Sequence, residues 1–300
     1  MNQAEINALI DLLDDPDQDI FNSIRERLIS YGEEVIPELE NAWEASFNNI
    51  VQTRIEDIIH NIQFSNIKHK LALWAQKPNP NLLEGAILVA KYQYPDLDEE
   101  RLNNKIEVIK RDIWLELNVN LTALEKIRVM NHIIFEIHGY SGNTANFHAP
   151  QNSYINNVLE SKKGNPLSLS ILYSVIAQSL GLPVYGVNLP EHFILAYKDT
   201  DPEIAALMRN DNNHGVLFYI NAFSKGSAFG KREIDTFLKQ INMKPMEMFY
   251  TPCSNVDIIT RMLRNLIGAY EKLGYPEKVK DLEELLEAIT SNSQGGGQMI

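Results

Sequence analysis

Cysteine is almost absent from this chain, which has Cys253 as its only cysteine among 300 residues. One cysteine cannot form an intramolecular disulfide, and it cannot supply a cysteine-rich zinc site. Cys253 stands in the segment YTPCSNVD, where we interpret it as a small buried residue rather than a nucleophile. His132 and His138 share a predicted helix, but they are six residues apart and do not share a face. The sequence therefore predicts no metal site and no cofactor.

Long apolar runs and excess positive charge are also missing. No run of about 18 apolar residues occurs, so the sequence predicts no membrane-spanning helix. Lysine and arginine total 27 against 40 aspartates and glutamates, which gives a net charge of −13. Nucleic acid and anionic membranes need basic patches, so neither is expected as a partner. The first residues, MNQAEINALIDLLDD, lack a basic segment followed by an apolar one, and we therefore expect no secretory signal and a cytoplasmic location.

Helical periodicity is present from the first residues onward. Apolar residues recur at spacings of three and four in residues 1–76, which predicts a module of short amphipathic helices. The segment DDPD ends the first helix, Gly32 is a predicted helix stop, and Pro37 is predicted near the first turn of the next helix. Residues 33–62 read as an imperfect second copy of the same unit, so the module resembles HEAT repeats. A plain helical bundle is the alternative.

A polar, proline-bearing break, AQKPNPN at 75–81, predicts the boundary to a second domain over residues 77–250. Three more helical stretches follow the break. After Gly139 the chain is rich in glycine, asparagine and serine, and it shows little periodicity until Tyr154. A long irregular loop inside a compact domain usually lines a site, so we expect this loop beside a cleft.

The segment ESKKGNPLSLSILYSVIAQSLGLP, residues 160–183, predicts one helix with a defined start. Gly164 or Asn165 is the candidate cap, and Pro166 suits the first helical position because no N–H bond is lost there. An apolar stripe and a stop at Gly181 complete the helix. The segments PVYGVNL, HFILAYKD and GVLFYINAF then predict strands, so the fold class is α+β with an antiparallel sheet.

The C-terminal part is predicted to be a helical hairpin. Residues 251–291 contain two amphipathic stretches with a turn at Gly274–Pro276, and they resemble one tetratricopeptide-type hairpin. The segment NSQGGGQMI, residues 292–300, is predicted to be a disordered tail. The glycines of SKGSAFGKRE lack the strand–loop–helix context of a nucleotide-binding loop, and this segment is predicted to be a turn.

One long stretch carries a family resemblance. NSYINNVLESKKGNPLSLSILYSVIAQSLGLPVYGVNLPEHFILAY, followed by FYINAF, resembles the transglutaminase-like core of the bacterial SirB-type family, whose members have a tetratricopeptide-like C-terminus. The resemblance covers roughly residues 80–290 and leaves the N-terminal helices outside. It implies a core similar to papain-like cysteine proteases, with a cysteine at a helix N-terminus, a histidine on one strand and an aspartate or asparagine on the next.

The resemblance implies three triad positions. The Gly-x-Cys of the helix start matches Gly164-Asn165-Pro166, so Pro166 stands where the nucleophilic cysteine is expected. The histidine matches His192 in PEHFILAY, and the orienting residue matches Asn221 in FYINAF. Asparagine can fill the third role because its carbonyl oxygen accepts a hydrogen bond from a ring N–H.

The residue at the nucleophile position decides what chemistry is possible. Proline has no nucleophilic atom and no N–H for an oxyanion hole, so it abolishes cysteine chemistry. It still keeps the helix start, because it suits the first helical position. Ser168 is the alternative nucleophile, although its side chain points about 200° round the helix from Pro166. It also needs a base within about 3 Å. The residues expected to line the cleft are Asn152, Ser153, Gly164, Asn165 and Glu191.

Three functions are compatible with these residues. The favoured one is a non-catalytic transglutaminase-fold protein that binds a protein or peptide in a groove around His192 and Asn221. The second is an amide-bond hydrolase or acyltransferase, in which Ser168 or an activated water replaces the thiol, His192 is the base and Asn221 orients it. The third is a stabilising subunit whose cleft is filled by side chains. They differ in whether the cleft at His192 is open and whether Ser168 faces it.

Overall fold

The computed structural model describes residues 3–199 and 215–291, which belong to two compact units. The division falls between Lys70 and Leu71, within helix α4 (Asn49–Gln76). The polar break at residues 75–81, where the sequence predicts a domain boundary, lies at the C-terminal end of this helix. The predicted tail, residues 292–300, lies outside the described residues. Within the described ranges, no helix is both long enough and apolar enough to cross a membrane.

The first unit consists of helices. Their bounds are α1 (Gln3–Asp11), α2 (Gln18–Ser30), α3 (Ile36–Ala45) and the part of α4 up to Lys70. Asp17 caps α2 through its side chain, and Pro37 lies in the first turn of α3, where a missing N–H costs little. Gly32 follows α2 with φ +66°, a left-handed conformation that glycine adopts without strain. The buried core contains Ile6, Leu13, Phe21, Ile24, Leu28, Val35, Leu39, Ile55, Ile58 and Ile62.

The second unit begins with the end of α4 and contains eight further α-helices among the described residues. Their bounds are α5 (Leu82–Gln93), α6 (Glu99–Glu116), α7 (Ala123–Asn131), α8 (Ile155–Ser161), α9 (Pro166–Ser179), α10 (Lys231–Gln240), α11 (Asn255–Leu273) and α12 (Pro276–Thr290). Helix α7 continues as a π-helix over His132–Ile137. Helices α8 and α10 were not predicted from the sequence, because both are short and flanked by polar, glycine-containing segments.

Four strands form an antiparallel sheet in the order β3–β4–β5–β6. Their bounds are β3 (Val184–Asn188), β4 (Phe193–Lys198), β5 (Val216–Asn221) and β6 (Ser227–Phe229), and a short parallel pair is formed by β1 (Ser141–Gly142) and β2 (Lys163–Gly164). The sheet confirms the predicted α+β class. Strand β6 lies in SKGSAFGKRE, where the sequence predicts only a turn. Leu195 pairs with Ile220, so the start of β4 and the end of β5 lie side by side.

Helix α9 is buried along most of its length and on several faces. The sequence predicts one apolar stripe, yet Ser168, Ser170 and Ser174 on its other faces are buried as well. The helix packs against α5, α8, β3 and β4 at once, which leaves no broad face for solvent. Each of the three hydroxyls donates to a backbone carbonyl oxygen, and these bonds offset the cost of burying a polar group.

Helices α11 and α12 form the C-terminal hairpin, with Gly274 between them at φ +76°. Ser254 and Asp257 form a reciprocal capping box at the start of α11. Helix α11 packs against α5, α9 and β3, so the hairpin contributes to the core of the second unit. This packing brings α11 next to the start of α9.

Candidate functional site

The start of α9 is held by a buried polar network. Asn165 is the N-cap: its Oδ1 accepts the Ser168 N–H at 2.9 Å, and the Ser168 Oγ accepts the Asn165 N–H at 3.0 Å. The Asn165 Nδ2 donates to the Ser153 Oγ at 2.9 Å. These reciprocal bonds fix the first turn of the helix, and they fix with it the position of Pro166, its first residue.

Ser168 belongs to this network. Its side chain is almost fully buried, and its hydroxyl donates to the Asn152 carbonyl oxygen at 2.5 Å. A nucleophilic serine must direct its proton to a base at hydrogen-bonding distance. Here the proton is directed to the backbone, and among the described residues no hydrogen bond joins Ser168 to His192.

Asn152 and Gly164, which the sequence predicts as cleft residues, are both buried beside the start of α9, and Asn152 belongs to the polar network. The Asn152 Nδ2 donates to the carbonyl oxygens of Asn146 and Phe147, at 2.6 and 3.1 Å, and so anchors the irregular loop. A Cβ built on Gly164 would lie 2.7 Å from the Ser168 Oγ. Close packing therefore requires glycine at this position, and ligand access does not explain it.

Pro166, His192 and Asn221 line one depression, which we call the His192 cleft. Its volume is about 440 Å³. It forms because α9 packs against β4 while the start of β4 lies beside the end of β5. The lining is mostly apolar and aromatic: Pro166, Leu189, His192, Phe193, Ile194, Asn221, Phe223, Ser224, Phe229, Glu233, Ile234 and Phe237.

His192 is exposed and stands directly before β4. Its ring centroid lies 4.9 Å from that of Phe237 on α10, at an interplanar angle of 49°. The preceding residue, Glu191, has φ +58°, and the His192 backbone N–H donates to the Pro190 carbonyl oxygen at 2.6 Å. The imidazole makes no hydrogen bond to any described residue, and its contact with the Phe237 ring positions it. Its ring nitrogens are therefore not used by the described part of the fold.

Asn221 ends β5 and caps the 3₁₀ turn that follows, Ala222–Ser224. Its Oδ1 accepts the Ser224 N–H at 3.2 Å. In a catalytic triad this oxygen would accept from the histidine ring. No hydrogen bond joins Asn221 to His192 in the described part of the chain, so the pair shares a cleft without the contact that orients a catalytic base.

A second depression, which we call the α11 groove, meets the His192 cleft at Pro166 and Phe193. Its volume is about 270 Å³. The lining consists of Phe147, His148, Ala149, Ser153, Asn165, Pro166, Leu167, Glu191, Phe193, Arg261, Arg264, Asn265, Gly268, Ala269 and Lys272. Ser153, Asn165 and Glu191, which the sequence predicts as cleft residues, therefore line this groove.

The α11 groove contains cations that sequence reasoning missed. Arg264 and Lys272 are exposed, whereas Arg261 is partly buried and donates to the Asn188 Oδ1 and the Leu189 carbonyl oxygen. Burial lowers the pKa of Arg261. The spacing of these residues along α11 places them on one helix face. This spacing is visible in the sequence and could have indicated a cationic face. The loop that forms the opposite wall is far away in sequence.

Cys253 lies outside the lining of both depressions. Its Sγ donates to the Gly186 carbonyl oxygen at 3.3 Å. Burial, with a smaller contribution from the charge of Asp257, raises the pKa of the thiol to about 12. A thiol that keeps its proton is a poor nucleophile. Cys253 is therefore held in a structural role.

Residues 3–199 and 215–291 contain no group of three or more histidine, cysteine, aspartate or glutamate side chains placed to hold a metal ion. His132 lies 2.8 Å from Glu136, and His138 lies 3.0 Å from Asp112. Each of these histidines thus has a carboxylate partner on the protein. The chemistry available at the His192 cleft is aromatic contact together with hydrogen bonding by His192 and Asn221.

Comparison with known proteins assigns a family to part of the second unit. The family model described as the transglutaminase-like superfamily matches residues 100–264. A UPF0162 protein from Xylella fastidiosa (strain Temecula1) is 30% identical over 190 residues, which cover 63% of this chain and 64% of that protein. F-box only protein 21 from Homo sapiens is 23% identical over 257 residues, which cover 77% of this chain and 39% of that protein.

The matched region includes the start of α9, His192, Asn221 and the first half of α11. The match to each of these relatives spans less than two thirds of the relative's own length. No solved structure matches the chain. The family model covers more than half of the sequence and confirms the transglutaminase-like part of the resemblance: the chain belongs to the transglutaminase-like superfamily.

Proposed function

We propose that this chain is a non-catalytic transglutaminase-fold protein that binds a peptide or protein segment in the His192 cleft. The observation that carries the proposal is Pro166 at the first position of α9, where the family resemblance places the nucleophilic cysteine. A thiolate at this position would be stabilised by the helix dipole and by a neighbouring imidazolium. Proline has no atom that can attack a carbonyl, so the cleft keeps its shape without its nucleophile.

The enzymatic alternative requires Ser168 or an activated water. Ser168 is buried and donates its proton to a backbone carbonyl oxygen, which argues against a nucleophilic role. A water mechanism would use His192 as the base, and the ring does not donate the orienting hydrogen bond to the Asn221 Oδ1. These contacts favour binding over catalysis.

A filled, purely structural cleft is disfavoured because the His192 cleft retains about 440 Å³, within the range of ligand-binding pockets. Phe223, Phe229 and Phe237 provide apolar surface for a ligand side chain. His192 and Asn221 can hydrogen-bond to a peptide backbone. A mostly apolar pocket with a few polar groups, His192, Asn221, Ser224 and Glu233, fits a peptide segment.

The family resemblance implies further features that fit a protein-binding role. We infer that the chain is of the bacterial SirB type and cytoplasmic, with HEAT-like helices over residues 1–76, a papain-like core over 77–250 and a tetratricopeptide-like hairpin over 251–291. Repeat modules of these kinds commonly bind proteins. The similarity to F-box only protein 21 extends over 77% of this chain and supports the same role. The net charge of −13 supports the exclusion of nucleic acid and membrane.

Selection of ligands from a displayed library of random peptides tests the proposal. Ser224 is exposed at the cleft, so Ser224→Trp fills it, and Ser227→Trp on β6 is a matched control outside the lining. We expect Ser224→Trp to weaken the selected peptides about tenfold or more, as the loss of a buried anchor does, and Ser227→Trp to change them less than about twofold. Mass spectrometry is expected to recover the peptides intact.

Two results would overturn the proposal. One is a cleavage or transfer product that forms with the wild-type protein and disappears with His192→Ala. The other is equal binding of the selected peptides by Ser224→Trp and the wild type, which would place their site outside the cleft.

A further inference from the structure

The α11 groove differs from the His192 cleft in charge. Arg264 and Lys272 are exposed in it, and neither forms an ion pair or hydrogen bond with a residue that the structure describes. Among the described residues that line the groove, Glu191 is the only acidic one. The chain as a whole carries a net charge of −13. The groove is therefore locally cationic on a protein whose net charge is negative.

The middle of this helix face is open. Arg264, Gly268 and Lys272 follow one another at intervals of four residues, which places them in a row about 6 Å apart along α11. A Cβ built on Gly268 meets no atom within 4 Å. The helix thus presents two long cationic side chains with a gap between them.

The spacing of this row matches an extended peptide. Side chains on one face of an extended chain repeat every two residues, or about 6.6 Å. If a first residue lies at Arg264, the third lies over Gly268 and the fifth at Lys272. Carboxylates at the first and fifth positions would each meet a cation, and the third side chain would occupy the gap.

We propose that the α11 groove binds an extended acidic segment of a partner protein, with two carboxylates four residues apart on Arg264 and Lys272 and a side chain between them over Gly268. This site goes beyond the His192 cleft, and its argument does not depend on ligand binding in that cleft.

The opposite wall of the groove is suited to the same ligand. Asn165, Pro166 and Leu167 bring the N-terminal end of α9 to the groove, where the helix dipole favours negative charge. Arg261 adds a cation whose guanidinium is held in place by its bonds to β3 and the loop after it. Of the arginine, lysine, aspartate and glutamate residues that line the groove, Arg261, Arg264 and Lys272 favour an anionic segment and Glu191 opposes it.

Contact charges decide this interaction because the long-range field of the protein is unfavourable. A net charge of −13 repels an acidic peptide at a distance. At physiological ionic strength, charges separated by more than about 8 Å are screened, whereas ion pairs in contact are weakened much less. We therefore expect binding that depends on Arg264 and Lys272 individually and survives at physiological salt.

The test uses fluorescent synthetic peptides with two glutamates four residues apart, an apolar residue midway and glycine and serine elsewhere. We expect Arg264→Ala and Lys272→Ala each to weaken binding about fivefold, the upper end for an exposed ion pair. Lys280→Ala removes the same charge from an exposed site on α12 outside the groove and should leave binding within about twofold.

Gly268→Leu tests the gap without changing any charge. Leucine would occupy the space over the helix, and we expect it to reduce binding by tenfold or more, an estimate for loss of the central contact. Leucine is also a better helix former than glycine, so thermal unfolding should show an equal or higher midpoint. Reduced binding by a stably folded Gly268→Leu supports the groove as the site.

Several results would overturn the inference. These are an absence of binding by the whole set of glutamate peptides, equal binding of versions with glutamine in place of glutamate, and equal weakening by Lys280→Ala and Arg264→Ala. Tighter, Arg264-dependent binding of a single-stranded oligonucleotide of equal charge would assign the groove to nucleic acid instead. Ser224→Trp separates the two sites: unchanged binding of the acidic peptides by this variant supports a groove independent of the His192 cleft, and loss of their binding contradicts it.

Discussion

Two groups of polar side chains lie near Pro166. Those in the buried network at the start of α9 form hydrogen bonds within the protein, whereas exposed ones in the two depressions do not. Asn152, Asn165 and Ser168 are 3%, 8% and 1% exposed and bond to one another or to the backbone. Arg264 and His192 are exposed, and their charged or ring atoms have no hydrogen-bond partner among the described residues. The role of a polar residue near this site thus depends on whether its hydrogen-bonding capacity is already satisfied.

This contrast separates the residues that hold the start of α9 from the residues that are available to a ligand. The start of α9 is fixed by the capping box of Asn165 and Ser168, to which the side chain at Pro166 does not contribute. The capping hydrogen bonds therefore do not depend on the side chain at residue 166. The network maintains the shape of both depressions, whereas the exposed residues determine what they bind.

The largest expected contrast is between two thiols. In Pro166→Cys, a thiolate in the first turn of α9 would be stabilised by the helix dipole, so its pKa should fall below that of a free thiol. Burial raises the pKa of Cys253 to about 12. At pH 7 we expect iodoacetamide to label the new thiol roughly a thousandfold faster than Cys253 in the same molecule. Mass spectrometry of the labelled peptides measures both rates, and equal rates would contradict the contrast.

Next in size is the loss of stability in Asn165→Ala. The substitution removes the N-cap and leaves the buried Ser168 N–H without its acceptor, which together cost about 3 kcal/mol. Asn81→Ala removes the exposed cap of α5, whose Oδ1 accepts the Glu84 N–H at 3.0 Å, and should cost about 1 kcal/mol. Urea unfolding measures both losses. Similar losses in the two variants would mean that the network adds nothing to an ordinary cap.

A smaller loss is expected for Ser168→Ala, which removes the hydroxyl that joins Asn165 to Asn152. We expect about 1–2 kcal/mol in the free energy of unfolding. Ser170→Ala removes a hydroxyl that donates to the Pro166 carbonyl oxygen within the same helix, and it should cost less than about 1 kcal/mol. If the order of the two were reversed, Ser168 would not be the centre of the network.

The smallest effect is expected where side chains face solvent. His192→Ala and Arg264→Ala should each change the free energy of unfolding by less than about 0.5 kcal/mol, because neither side chain has a hydrogen-bond partner to lose among the described residues. Thermal and urea unfolding check this. A loss above about 1 kcal/mol for either variant would place that residue in the structural network rather than in a binding surface.

Local sequence signals predicted much of the second unit. Proline after asparagine predicted the start of α9, and β-branched and aromatic runs predicted β3, β4 and β5. The same signals did not distinguish Asn152 and Gly164, which are buried, from Ser153 and Glu191, which line the α11 groove. The residue type determines which hydrogen bonds a side chain can form. Whether those bonds form depends on partners that are far away in sequence.

The sequence by itself determined the fold class, the helix start at Pro166 and the absence of a cysteine there, because these depend on periodicity, caps and residue identity alone. Only the tertiary structure decided that Ser168 bonds inward and that His192 and Asn221 share a cleft without a mutual hydrogen bond. It also brought α11 alongside the start of α9 and so created the cationic groove. These features depend on contacts between segments separated by many residues, and packing in three dimensions sets such contacts.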